Sequence, residues 1–386
     1  MSKSVWLRLV LSVAVVVCSL SLTGCPSKEV IVLDNFPTLS LESLWDDCVS
    51  FFTGNVKAPF EVGDIIVGTG GGGFLRRVVA INQRSGKVTA DTEFVSLAEA
   101  VAAGTLDAKV EFTHDDFVKS GVPLSKASDM TIDLSGIVLY SKDGVTVSIS
   151  SGSLTIRPTL TLNAVFNNNQ LSSLKALTEG DVALDLNLRV QATGQLDDEI
   201  SWETNVIPPI TKPFVFYIGP VPVVGTASLS IPFGIAGRLT GTASVESGFD
   251  TTTHIKLGAQ LEAKKWTNLS SFGAPETNAH PIVVSFSSSA GVDVYCKVKA
   301  GLNLYGASDL TGYVQPYLAA DANFVPSPFT FVLGAGINGG LGYQLGIFDI
   351  NLIDKNWFFP GPYWELYRYT LPYDVPTTFT FAWPEL

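Results

Sequence analysis

Gly68, Gly70 and Gly73, inside the stretch GDIIVGTGGGGFLRRV (Gly63 to Val78), stand at the spacing of the G-x-G-x-x-G turn that cradles a pyrophosphate. That chemistry needs a long helix opening at the third glycine, so that its first N–H groups aim at the phosphates. After Gly73 the chain runs Phe74-Leu75-Arg76-Arg77-Val78-Val79-Ala80-Ile81, then Ser85-Gly86, then Lys87-Val88-Thr89-Ala90. Strand, tight turn, strand is a β-hairpin and not a βαβ unit. No Lys-Ser or Lys-Thr pair comes directly after the glycines, as a phosphate loop requires. The glycines read instead as positive-φ positions in a mobile strand-to-strand loop. Nucleotide binding is excluded on these grounds.

The remaining polar candidates are few. Histidine occurs at His114, His254 and His280 only, and no G-x-S-x-G elbow is present to supply an activated serine. In His114-Asp115-Asp116, strand geometry puts His114 and Asp116 on one face and Asp115 on the other. Such a pair reads as a surface ion pair before it reads as a metal site. Asp197-Asp198-Glu199, after Gly194, is an acidic turn without the spaced carboxylates of a calcium loop, and reads as solvated. No catalytic residue, metal site or cofactor is assigned. The C-terminal aromatics Trp357, Phe358, Phe359, Tyr363, Trp364, Tyr367 and Tyr369 have two readings. They plug the end of a sandwich, or Trp357 and Trp364 stack against sugar rings.

The N-terminus sets the compartment. Lys3 and Arg8 precede an apolar run, Leu9 to Leu22, that is short for a bilayer span, and the run ends in Leu22-Thr23-Gly24-Cys25. The pattern is that of a secretory signal peptide, and the last four residues resemble the lipobox of bacterial lipoproteins. The resemblance implies cleavage before Cys25 and acylation of Cys25, so that the chain is anchored to a membrane by several acyl chains. In a two-membrane cell, Pro26 in place of an Asp at this position implies by the same resemblance sorting to the outer membrane. Loss of Lys3 and Arg8, with no acid in residues 1–24, takes the net charge from −12 to −14. A surface this acidic repels nucleic acid. Cys48 and Cys296 remain as thiols in an oxidising compartment, where a Cys48–Cys296 disulfide is the expectation.

The elements that must position any site are mostly strands. Pro26 to Leu39 reads as a tether, Leu41 to Phe52 as a short helix, and Ser96 to Ala103 as another. From Met130 onward apolar and polar residues alternate, most clearly in Val182, Leu184, Leu186, Leu188 and Val190, as half-buried antiparallel strands require. PFVFYIGPVP, Pro213 to Pro222, carries three prolines and belongs at an edge or crossover. The last eighty residues alternate glycine with large aromatics, which suits a curved sheet with close backbone approaches. The expectation is an all-β protein with a minor helix near its N-terminus. Residues 1–24 are the signal peptide and 25–59 a lipid-anchored tether with a short helix. Residues 60–125 are a small β module, and 126–386 a large antiparallel β-sandwich-like domain. The rivals are an outer-membrane β-barrel and a lipid-carrying β tube.

FEVGDIIVGTGGGGFLRRVVAIN, continued by GKVTADTEFVSLAEAV, is similar to a small β module of large bacterial and archaeal surface proteins. The similarity spans residues 60 to about 102 and implies a surface location without an assigned activity. The functional expectation is a membrane-anchored envelope lipoprotein with a non-enzymatic binding or structural role. Its alternative is a secreted polysaccharide-acting hydrolase or lectin that uses the C-terminal aromatics. The expected partners are a membrane, through Cys25, and an unidentified protein or glycan, with neither nucleotide nor nucleic acid among them.

Overall fold

The computed structural model of the protein describes residues 29–54, 56–125, 130–193, 200–239, 242–274, 276–281, 283–286, 290–306, 308–323, 329–349, 354–370 and 379–382. They fall into two compact units that divide between Val95 and Ser96.

The first unit is a six-stranded sheet. Its strands are β1 (Val30–Val32), β2 (Ser40–Leu44), β3 (Cys48–Phe52), β4 (Ile65–Gly68), β5 (Phe74–Arg84) and β6 (Lys87–Phe94), in the order β1-β4-β5-β6-β3-β2. Only the β1–β4 pair is parallel. Val49, Phe51, Phe60, Ile66, Phe74 and Val88 fill its core.

Two expectations are corrected here. Leu41 to Phe52 is not a helix but β2 and β3, joined by a turn that Trp45 N–H closes onto the Cys48 carbonyl at 2.9 Å. Val49 and Phe51 face the core because β3 pairs with β6 in the register Val49↔Ala90 and Phe51↔Val88. That tertiary pairing overrides a weak helical preference. Much of the expected tether is therefore sheet.

The anticipated hairpin is β5 and β6 around Ser85-Gly86, and the glycine stretch joins β4 to β5, with Gly68 opposite Phe74 and Ile65 opposite Arg77. Gly71, Gly72 and Gly73 take φ values of +64°, +89° and +91°, which only glycine adopts without strain. The loop is pinned: the Asp34 carboxylate accepts from Thr69 N–H at 3.1 Å and Thr69 Oγ1 at 3.2 Å, while Leu41 packs on Gly70 and Gly71.

The second unit holds two large sheets. The twelve-stranded one is built on Gln170–Thr193 and Thr242–Glu262, paired antiparallel along their length. On its other edge Gln170–Thr193 carries two shorter strands end to end, Thr159–Asn167 and Val145–Ile156. Ala103–Glu111 pairs with Thr159–Asn167, so residues 96–125 belong to this unit and not to the small module. The nine-stranded sheet repeats the plan. Ser308–Asn323 carries Val298–Leu304 and Ala290–Cys296 end to end on one edge and Thr330–Tyr343 on the other, with Lys355–Thr370 beyond. Ile210–Ile218, which contains Pro213, ends this sheet as an edge strand, where a residue without an N–H is tolerated.

The two sheets pack face to face. Val182, Leu184, Leu186, Leu188 and Val190 are buried, while Asp185 and Arg189 between them face water. Gly312 of the nine-stranded sheet approaches Leu257 of the other, Gly339 approaches Phe272, and Tyr343 Oη donates to the Ala176 carbonyl at 3.3 Å. On the twelve-stranded sheet apolar residues thus face inward and polar ones outward. A half-open hollow lined by Ile156, Val182, Ile255 and Val314, together with Arg157, Glu179 and Asp181, measures about 30 Å³.

Two short helices complete the second unit, α1 (Leu97–Ala100) and α2 (His114–Lys119). Each opens on a capping box, Ser96 with Glu99 and Thr113 with Asp116. The expected helix at Ser96–Ala103 is thus present but shorter, because Ala103 already begins a strand.

Gly180 marks the point where Gln170–Thr193 changes partner from Thr159–Asn167 to Val145–Ile156. A Cβ there would overlap the Arg157 carbonyl, whereas one on Gly346 would meet nothing within 4 Å. Gly180→Ala is expected to cost about 1–3 kcal/mol, the range for overpacking. Gly346→Ala serves as the control, and equal urea midpoints for the two variants would refute the splice geometry.

Candidate functional site

Strand parity assigns the two faces of the nine-stranded sheet. In Ser308–Asn323, Leu310, Val314, Leu318, Ala320 and Ala322 point inward and are buried. Thr311, Tyr313, Gln315, Tyr317 and Asp321 therefore point outward. In Thr330–Tyr343 the inward residues are Phe331, Leu333, Ala335, Ile337 and Leu341, and the outward set includes Gly334, Gly336, Gly340 and Gly342. A column of glycines thus runs down the outer face.

The register fixes what lies beside that column. Gly340 has Tyr313 on one side and Phe358 on the other, and Gly336 has Tyr317 and Tyr363. The rings lean over the glycines. A Cβ on Gly340 would overlap the Tyr313 ring, one on Gly336 the Tyr317 ring, and one on Gly334 the Tyr363 ring. Farther along, Tyr295 covers Gly234 in the same way. Each tyrosine occupies the space that a side chain on the neighbouring glycine would fill, so that its ring lies on the backbone. Phe358 is 61% and Tyr363 50% exposed.

One end of this surface opens into a cleft of about 600 Å³, within the size range of small-molecule sites. Tyr313 and Phe358 form its aromatic walls, and Asp309, Thr311, Asp354 and Asn356 supply polar groups. Several of these side chains are held in place. Asn303 Nδ2 donates to Asp309 Oδ1 at 3.1 Å, and Leu345 N–H donates to Asp354 Oδ1 at 3.2 Å. Lys297 Nζ sits 5.4 Å from the Tyr313 ring centre and 5.5 Å from that of Tyr295, while donating to Glu203 Oε2 at 2.6 Å.

Two carboxyls and three phenols on this face are raised, while Glu365 is held below its usual range by its hydrogen bond from Arg368. Asp293 is held above the ordinary carboxylate value by partial loss of hydration against the sheet, and then by the like charge of Asp321. Lost hydration raises Asp321 as well. Tyr295 is pushed up to about 12, first by lost hydration and then by its hydrogen bond to Glu203 and that carboxylate's charge. Tyr317 and Tyr363 are raised too, chiefly by lost hydration and partly by the charge of Asp293.

Of the residues singled out in the sequence, Trp357 also lines this cleft. Trp357 and Trp364 lie in register with buried Leu341 and Ala335, on the inward side of their strand. Trp357 packs against Trp266 and Tyr343 with ring centres 5.6 and 5.5 Å apart, closing the sandwich edge. The exposed rings of the same strand are Phe358 and Tyr363. Their part in a surface went unread because a run of consecutive aromatics does not reveal which face each occupies.

His114, Asp115 and Asp116 start helix α2 and not a strand. Burial pushes the Asp116 carboxyl up, but hydrogen bonds from Lys212 and Thr113 outweigh it and hold the group below its usual range. On the outer face of the twelve-stranded sheet, His280 Nδ1 lies 2.8 Å from Asn187 Oδ1, and His280 Nε2 lies 3.5 Å from Asp250. Among the described residues no group of three or more histidine, cysteine or acidic side chains is arranged to hold a metal. Cys25 and Asp197-Asp198-Glu199 lie outside the described residues.

The expected Cys48–Cys296 bridge is not formed. Both thiols are free, Cys48 half-buried in the first unit and Cys296 fully buried in the second. Cys296 points into the sandwich core from a strand paired to Phe233 and is raised by burial, which makes it inert.

No family model matches the chain, and neither the curated proteins nor the solved structures include a match.

Two measurements check the site. Alkylation of the unfolded chain without reductant should label both Cys48 and Cys296, whereas the folded protein should keep Cys296 unlabelled; an unfolded chain with neither labelled would restore the bridge. Asp293 binds its proton more tightly folded than unfolded, so its contribution is fully present below about pH 3.9 and is lost as pH rises through its raised value. Asp293→Asn should therefore raise Tm at pH 7, with the gap closing toward pH 3. A gap of equal size at both pH values contradicts the assignment.

Proposed function

We propose that this chain is a lipid-anchored binding protein of the bacterial cell envelope, tethered through Cys25 at the outer membrane and non-enzymatic. The anchor rests on Lys3, Arg8, the apolar run after them and Leu22-Thr23-Gly24-Cys25. The binding role rests on one observation, the row of tyrosine rings seated on glycines beside an open cleft. Such rings are fixed by the sheet beneath them, so they lose little freedom on meeting a partner. No helix among the described residues is long and apolar enough to cross a membrane.

A second reading, a polysaccharide hydrolase, is favoured by Asp293 and Asp321, two carboxylates with raised proton affinity on the aromatic face. Turnover of a glycoside panel that Asp293→Asn or Asp321→Asn abolishes would replace the binding reading with this one.

The anchor is tested by metabolic palmitate labelling. Wild type should incorporate label and Cys25→Ala should not, and the Cys25→Ala chain should leave the membrane fraction without detergent. Equal labelling of the two sinks the proposal.

A further inference from the structure

Resting on the binding role and narrowing it to a ligand class, we infer that the outer face of the nine-stranded sheet is a binding track for a neutral polysaccharide. The track has Phe358, Tyr313, Tyr317 and Tyr363 as its stacking groups and the cleft at its Tyr313 end as its hydrogen-bonding site.

Geometry supports this first. A pyranose ring offers a flat apolar face of C–H groups and an edge of hydroxyls. It is held by an aromatic ring lying flat against a rigid surface, with planar hydrogen-bonding side chains beside it. The glycines at 334, 336 and 340 are what let the tyrosines lie down, since a side chain at any of them would overlap the ring now covering it. Tyr313 and Phe358 flank one glycine, Tyr317 and Tyr363 another four residues along the same strand. At about 3.3 Å per residue the two ring pairs are ~13 Å apart. That is the reach of a short oligosaccharide and not of one monosaccharide.

Polar chemistry agrees with the geometry. At the Tyr313 end the cleft offers carboxylates at Asp309 and Asp354, a hydroxyl at Thr311 and an amide at Asn356. Carboxylate and carboxamide groups accept from hydroxyl pairs, and both named carboxylates are already oriented by Asn303 and the Leu345 backbone.

Charge decides the class. Asp293, Asp309, Asp321, Asp354 and Glu365 lie on this face or in its cleft. Among the facing cations Lys297 is tied to Glu203 at 2.6 Å, and Arg368 is tied to Glu365 at 2.9 and 2.6 Å. Lys299, across the strand pair from Tyr313, stands against the unbalanced acids. An excess of carboxylates repels uronates, sulfates and phosphates, so the polymer recognised is uncharged.

The test uses the full chain in mild detergent, with binding read by affinity electrophoresis and calorimetry. The probes are glucans, mannans and galactans, against polygalacturonate as the acidic comparison. At least one neutral polymer should bind and polygalacturonate should not. Phe358→Ala and Tyr363→Ala should each weaken binding about tenfold, the worth of one stacked ring. Both positions are exposed, so the fold should survive, as a retained cooperative unfolding transition would show. Trp45→Ala, an exposed ring in the first unit, should bind as wild type does.

Absence of binding to every neutral polymer overturns the inference, as does tighter binding to polygalacturonate or unchanged affinity in both ring variants. Failure here with Cys25 acylation intact removes the glycan and leaves the anchored binding protein standing. Loss of acylation with glycan binding intact does the reverse.

Discussion

Ser173–Thr193 and Thr242–Glu262 pair through 21 consecutive residues without a bulge, and the architecture of the second unit hangs on that register. Because side chains alternate, a slip of one residue would turn Leu184, Leu186 and Leu188 to water and Asp185 and Arg189 into the core. Each buried leucine contributes roughly 1.5–3 kcal/mol, so the penalty for a slip is large and the pairing is unique. The flanking strands then have no choice of height. Val145–Ile156 and Thr159–Asn167 must meet end to end against the same strand, which forces the chain to turn at Arg157 and Pro158 and leaves room for only a glycine at position 180.

The nine-stranded sheet solves a different problem with similar parts. Its inner face is filled by Phe331, Leu333, Ile337 and Leu341, while the outer positions of the same strand are largely glycine. A strand with so few outer side chains would be weak by itself. The tyrosines of the neighbouring strands supply the missing cover, and in doing so they are immobilised. One arrangement therefore both stabilises the strand and presents flat rings to solvent. The same carpet of rings strips water from Asp293 and Asp321, which is why their protons are held tightly.

Much of this was legible in the residues themselves. The alternation of Val182 to Val190 identified a half-buried strand, the Ser85-Gly86 turn identified a hairpin, and Pro213 identified an edge. What failed did so for definable reasons. Leu41 to Phe52 carries apolar residues at spacings that fit a helix and a strand alike, and only the distant partner Lys87–Phe94 decides between them. His114-Asp115-Asp116 follows Thr113, whose Thr-x-x-Asp spacing to Asp116 forms a capping box that strand geometry takes no account of. Trp357 and Trp364 stand opposite inward-facing Leu341 and Ala335 because a bulge around Ile337 and Gly361 sets the phase of their strand, which spacing along that strand does not show. The pairing of tyrosines with glycines depends on register between strands, which no local pattern encodes.

The order of strands along the chain has a kinetic side. Ala103–Glu111 finds its partner only when Thr159–Asn167 is available, Ser173–Thr193 must await Thr242–Glu262, and Val283–Phe286 pairs with Phe379–Ala382. Pairings so distant in sequence make folding slow, because long loops must close before contact rewards them. Meanwhile the two longest strands, each with a row of leucines on one side, stand with unpaired edges and attract any other extended chain nearby. A chain made from its N-terminus keeps the edge of Val283–Phe286 open until Phe379–Ala382 arrives.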